Sequence, residues 1–248
     1  MLRAFFETSN GGYYSPIHGD GCVTLLPIPD NRSRYRIVPP HLLADRIIDS
    51  CSGRRLSTYY PIEYGVEPLI HRDPRLDLGF YTGYYAPKGR LPKKNDKKLG
   101  RGDYLLFMAG LARYPKDFWS TRRRLGEIRR VFRKLVREGR TGIYIVGGLR
   151  VVEVIDTSTT GWSKAVGEYP FLAESPHYYR LNDYPVAVVG EPLKMNPIVI
   201  SDPNRKPTDS LVTLVGREHA WRIARNNYRK SRIIRVGWDF EETLASLI

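Results

Sequence analysis

The chain has 248 residues, with 40 Lys plus Arg against 26 Asp plus Glu, for a formal net charge of +14. Hydrophobic residues make up 42% and charged residues 27%, an ordinary balance for a folded domain, which excludes wholesale disorder. No apolar run reaches the roughly 18 residues a membrane span needs, and MLRAFFETSNGGYYSPI is too polar and Gly-rich for a signal peptide. A cytoplasmic protein with no membrane partner is expected.

In chain order, residues 1–38 read as short strands and turns: LRAFFE, CVTLLPI and RYRIV. Pro39 and Pro40 end that run. HLLADRIIDSC follows, with Leu42, Leu43, Ile47 and Ile48 at helical spacing. Residues 59–100 are rich in Tyr, Pro and Gly and read as a long functional loop region. DYLLFMAGL (103–111) is a continuous apolar run, hence a buried strand. Residues 117–138 form the clearest helix, with Leu125, Ile128, Phe132 and Leu135 on one face. GIYIVGGLRVVEVID (142–156) is one bent strand or two. PVAVVG and NPIVIS are two further short strands. Residues 217–230 read as a second basic helix, with Trp221, Ala224 and Tyr228 on one stripe. The expected fold is α+β, with a strand-rich core and peripheral basic helices. One domain is expected over 1–248, with a basic helical insertion at 113–140 and a basic helical extension at 217–248.

The charge is concentrated. Residues 113–140 carry a net +8, and 88–101 and 217–235 carry +6 each, so the rest of the chain is mildly acidic at −6. Three basic stretches with too few acidic residues to pair them point to a polyanion surface, with nucleic acid, DNA or RNA, as the partner. Arg123, Arg130, Lys134 and Arg137 are expected to contact its backbone. Tyr59, Tyr60, Tyr64, Tyr81, Tyr84 and Tyr85 lie near the 88–101 run, and aromatic rings beside cations are how unstacked bases are held. There is no Gln, and Arg outnumbers Lys 29 to 11. Few thermolabile residues among many charges fit a thermophilic, archaeal host, in which Cys22 and Cys51 can pair even in the cytosol.

Standard catalytic signatures are absent: no GxGxxG after a strand, no GxxxxGK[ST], no HExxH, no CxxC and no GxSxG. Three clusters remain. SPIHGDG (15–21) presents Ser15, His18 and Asp20 on a turn. IHRDPRLD (70–77) places His71 and Asp73 two apart, so that in an extended segment they point the same way. SPHYYRLND (175–183) gathers His177, Arg180 and Asp183. His71-x-Asp73 with His177 has the form of a two-His, one-carboxylate iron site, whereas an Asp-Pro turn beside a surface His explains the first two residues without any metal.

The order Ser15-Pro16-Ile17 with Asp20-Gly21, Leu26 to Pro29, His71-Arg72-Asp73-Pro74, and Gly102-Asp103 before Leu105-Leu106-Phe107 resembles the nucleotide modification associated domain family, third type. Pro176-His177 matches a later Pro-His of that family. The resemblance covers residues 3–200 and implies a protein associated with modified bases. The GDYLLF and GIYIVGGLRVVEV pair also looks like the strand pair of PUA-like barrels, which include readers of modified bases, and this resemblance implies a small mixed β-barrel core. The chain is therefore expected to bind nucleic acid and to recognise, or help make, a modified nucleotide, without a cofactor. Ser15, Asp20, His71, Asp73, Tyr81, His177 and Arg180 would form the nucleotide pocket. The alternative is an enzyme with His71, Asp73 and Asp20 catalytic, or with His71, Asp73 and His177 on a metal.

Overall fold

The structure, a computed structural model, describes residues 2–3, 12–84, 99–183, 185–202, 204, 206–225 and 240–247. Tyr85, Tyr228, residues 88–98 of the first basic run and residues 226–235 of the last lie outside the described residues. The chain forms β1 (Leu2–Arg3), β2 (Ser15–Pro16), β3 (Ile28–Pro29), β4 (Ile70–His71), β5 (Phe80–Tyr84), β6 (Tyr104–Ala112), α1 (Leu125–Arg137) and β7 (Thr141–Asp156). There follow α2 (Thr157–Thr160), α3 (Trp162–Glu168), α4 (Pro176–Tyr179), β8 (Val186–Leu193), β9 (Ile198–Val199), α5 (Asp209–Val215), α6 (Arg217–Arg225) and α7 (Phe240–Ser246). The architecture is mixed α+β around one sheet ordered β1-β6-β7-β8-β5, curled into a half-barrel. β2 extends the β1 edge along β6, and β9 continues the β8 edge along β7. β3 and β4 form a separate antiparallel pair.

The apolar run in β6 is unbroken because both sheet faces are covered. Leu106, Met108 and Ala112 join the larger core under α1, α5 and α6, while Leu105, Phe107, Ala109 and Leu111 join a second core on the other side. This is the period-two alternation of a strand buried twice. β7 is a single strand bent by two bulges. Its register shifts opposite Phe107/Met108, and again between Val151 and Glu153. Each extra residue flips the side-chain alternation, so Val146 and Leu149, an odd number apart, face the same core.

α1 begins at Leu125, eight residues later than periodicity predicts. Pro115 and the left-handed Asp117 (φ 62°) make a turn first, and both Glu63 carboxylate oxygens accept from Leu125 N at 3.0–3.1 Å. The helix expected over 41–51 is instead two 3-10 turns, Pro40–Leu42 and Ala44–Arg46, and Ile48 is 61% exposed. Asp49 then accepts from Ser52 N and Oγ and from Tyr59 Oη, which closes a loop where a helix would have continued. Cys22 and Cys51 form a disulfide beside this loop. Tyr59 and Tyr60 are wholly buried core residues, with Tyr60 Oη donating to Pro27 O at 2.6 Å; neither ring is offered to a base. On α6 the expected stripe is also corrected: Ala220, Ile223 and Ala224 are buried, whereas Trp221 lies on the exposed side.

Two glycines give opposite expectations. A Cβ on Gly110 of β6 would sit 2.4 Å from the Tyr14 ring, which is wedged edge-on against Phe132. Gly110→Ala should therefore cost about 1–3 kcal/mol through overpacking. A Cβ on Gly126 in α1 meets nothing within 4 Å, and Gly126→Ala should add about 0.4–1 kcal/mol. Urea unfolding midpoints that do not move in opposite directions would contradict this account.

Candidate metal centre

Three chain segments converge beside the β5 edge. β4 pairs with β3 so that Ile28 lies opposite His71 and Asp30 N donates to Leu69 O, which puts the Asp30 and His71 side chains diagonally on one face. Two residues on, Asp73 donates its backbone N–H to His71 O at 3.0 Å, folding the His-x-Asp segment tightly. α4 brings in His177, with Ser175 as its N-cap.

Asp73 is fully buried, and both its oxygens lie 3.0 Å from Thr82 N. A run of hydroxyls ties it to the His177 helix. Each hydroxyl has one proton to give. Thr82 Oγ1 donates to Asp73 Oδ2 at 2.9 Å, so it must accept from Ser175 Oγ at 2.6 Å. Ser175 Oγ in turn accepts from His177 N at 3.1 Å.

The two imidazoles meet edge to face, with ring centroids 4.6 Å apart. His177 Nε2 lies 3.6 Å and His71 Nε2 3.9 Å from Asp73 Oδ2. One donor atom from each of the three residues lies within 4.8 Å of the other two. The opposite nitrogens face other carboxylates: His177 Nδ1 is 2.8 Å from Asp183 Oδ2, and His71 Nδ1 is 3.3 Å from Asp30 Oδ2. Arg180 bridges those two carboxylates, donating from Nη1 to Asp183 at 3.3 Å and from Nη2 to Asp30. Arg180 Nη2 also lies 3.0 Å from His71 Nδ1. A protonated Nδ1 donates to Asp30; a bare one accepts from Arg180. Tyr35 Oη donates to Asp30 at 2.5 Å, and its ring lies under the Arg180 guanidinium.

Burial works on every ionisable group here. It pushes the Asp30 carboxyl up, but hydrogen bonds from His71, Tyr35 and Arg180 outweigh it and hold that group well below the usual range. For Asp73 burial wins over the nearby His71 and the Thr82 bonds, and its pKa is raised. Burial lowers both His71 and His177, against the pull of Asp30 and Asp183 respectively. The His71 side chain is 14% exposed, against 0–1% for Asp73 and His177, so the cluster opens to solvent on the His71 side.

Of the residues singled out in the sequence, the structure brings together His71, Asp73, His177, Arg180 and Asp183. It places the others elsewhere. Ser15 is buried, its Oγ accepting from Leu26 N. Asp20 is exposed and caps Cys22 N at 3.0 Å. His18 pairs with Thr24 Oγ1 at 2.7 Å. Tyr81 packs edge-on against Phe107, on the opposite face of β5 from Thr82. Arg123 precedes α1, where it stacks on Phe118 and pairs with Glu127. Arg130, Lys134 and Arg137 lie on the exposed face of α1, Lys134 near Glu138. Asp30, Tyr35 and Thr82 were not singled out for the site. Asp30 directly follows the Leu26 to Pro29 match, but nothing in that segment says which distant side chain it will meet.

Comparison with known proteins identifies one family: the model described as nucleotide modification associated domain 3 matches residues 1–209. No curated protein and no solved structure matches the chain.

Thr82 joins Asp73 to the His177 helix, so Thr82→Val should destabilise the fold by about 1–3 kcal/mol, the cost of leaving buried partners unsatisfied. Thr82→Ser should retain most of the stability. Equal stability of wild type and Thr82→Val in urea would show that the hydroxyl chain carries no energy.

Proposed function

The chain belongs to the nucleotide modification associated domain 3 family, and from that premise we propose that it takes part in nucleotide modification through a divalent iron or zinc ion held by His71, Asp73 and His177. The convergence of the three donor atoms carries this reading. Ligands about 2.0–2.2 Å from one tetrahedral ion stand about 3.3–3.6 Å apart, and the observed 3.6 and 3.9 Å need little contraction. Two imidazoles and one carboxylate form a donor set common to catalytic zinc and non-haem iron, both of which keep positions open. Such an ion supplies a Lewis acid or an activated bound water.

The surrounding residues fit the same reading. Asp30 and Asp183 would each hold a proton on the Nδ1 of one histidine, so that its Nε2 carries none, as a ligand nitrogen must. Metal-bound histidines usually carry such an outer carboxylate or carbonyl. Arg180 would fix both carboxylates at once and act as a positioning residue. Thr82 would orient Asp73. A reader of modified bases, the other reading of the family, would need Asp73 to face a base edge; full burial and two bonds from Thr82 favour the metal role. The curled sheet is compatible with the PUA-like core that the resemblance implies. Nucleic acid would approach along the exposed arginines of α1.

After reconstitution with Fe(II) or Zn(II), plasma mass spectrometry should find about one ion per chain. His71→Ala, Asp73→Asn and His177→Ala should lose it with the fold retained by circular dichroism. Asp183→Asn should weaken metal affinity by about 10–100-fold. Nucleosides from cells expressing the wild type should include a species missing with His177→Ala. A wild-type chain that takes up no stoichiometric metal defeats the proposal.

The arginine approach has its own test. Arg130→Ala with Arg137→Ala should flatten the plot of log K against log salt for duplex binding by about 1.8. An unchanged slope would remove α1 from the binding surface.

A further inference from the structure

The core does not account for the outer face of α6. Ala220, Ile223 and Ala224 anchor the helix in the main core, while Trp221 is 43% exposed. Arg217, Trp221 and Arg225 recur at four-residue steps and so share one stripe. With Glu218 and Arg222 they line a surface cleft of about 280 Å³. Arg222 pairs with Glu218. Among the described residues, neither Arg217 nor Arg225 has an acidic partner, so the stripe is net positive around an exposed indole.

We propose that this stripe binds single-stranded nucleic acid, with a base stacked on Trp221 and the flanking phosphates on Arg217 and Arg225. Each guanidinium is rooted about 6 Å along the helix axis from the indole, four residues at about 1.5 Å each. That layout sets a cation on either side of one stacked base. An indole face accepts any base, and arginine beside it meets the phosphate. In a duplex the base faces are already covered by their neighbours, so the exposed ring selects an unpaired strand. The charge selects a polyanion over a neutral or basic protein surface. Because the buried side of α6 is fixed in the core, the stripe is presented in one orientation. It lies beyond residue 209, outside the span matched by the family, and it shares no residue with the His71 cluster. The strand it holds would be the one that delivers a nucleotide to that cluster, so in this respect the inference builds on the function proposed above.

The test is fluorescence anisotropy with the full chain and a labelled oligothymidylate, beside a duplex of the same length. The wild type should prefer the single strand. Trp221→Ala should weaken its binding about tenfold or more, as loss of one base–aromatic stack does, and Trp221→Phe should retain most of it. Arg217→Ala with Arg225→Ala should flatten the salt dependence by about 1.4 in log K against log salt. Binding unchanged in Trp221→Ala, or a duplex bound as tightly as the strand, overturns the inference. Metal content measured on the same preparations separates the two proposals. Oligonucleotide binding absent with metal present overturns this one alone; metal absent with Trp221-dependent binding intact overturns the metal centre alone.

Discussion

Arg180 holds two carboxylates at once, the buried Asp30 and the partly buried Asp183, and the placement of both histidines depends on that bridge. With Asp73, the interior of the site contains three carboxylates and one guanidinium. If all are ionised the sum is −2, an arrangement that is costly away from water. Asp73 relieves part of it by holding its proton more tightly, as its raised pKa indicates. A divalent cation would bring the same sum to zero while leaving Asp73 ionised.

The bridge also sets how the chain must fold around the site. Tyr35 pairs in an isolated bridge with Arg180, Arg36 N donates to Tyr179 O, and Leu181 N donates to Arg34 O. The segment after β3 is therefore laced to the segment after α4 by backbone bonds as well as by the guanidinium. Asp73 depends on β5 through Thr82, and β5 is held at the sheet edge by β8. The cluster thus joins pieces that are far apart in sequence, and each piece is fixed by a ladder that does not need the cluster. Such a scaffold can hold an electrostatically unfavourable arrangement because the main-chain bonds and the apolar cores supply the stability.

The sequence pattern reveals some of this. His71 and Asp73 are legible as a pair two residues apart, although a tight turn closed by Asp73 N on His71 O, not an extended segment, brings them together. His177 is legible as the third member of that donor set. Asp30 is not, since its role exists only through the β3–β4 register. Asp20 looked as promising as Asp73, because both sit beside a turn residue in a polar motif. What separates them is solvent: Asp20 caps its own turn in water, while Asp73 is carried under β5. Tyr59 and Tyr60 show the same limit. Aromatic rings near a basic run suit base stacking and core packing equally, and only the packing of 3-10 turns against Trp119 and Tyr13 decides for the core. α1 is legible where apolar spacing is strict, from Leu125 to Leu135. Its start is not, because the Asp117 turn and the Glu63 cap act through conformation and a contact 62 residues away.

The mildly acidic body and the basic segments have opposing effects on a polyanion. A buried cluster with excess carboxylate repels phosphate at short range, yet the proposed function would bring a nucleotide to it. Screening at physiological salt limits unit charges to about 8 Å, so exposed arginines elsewhere do not neutralise the cluster. What they can do is raise the local concentration of the nucleic acid and hold it at several points, as charges outside a site do in steered association. In the function proposed above, local neutralisation would come from within the site. Arg180 is already committed to Asp30 and Asp183, so a bound divalent ion would be the positive charge that a phosphate or a polarised base meets. The basic surface would then govern capture and the interior chemistry, and the two could be altered independently.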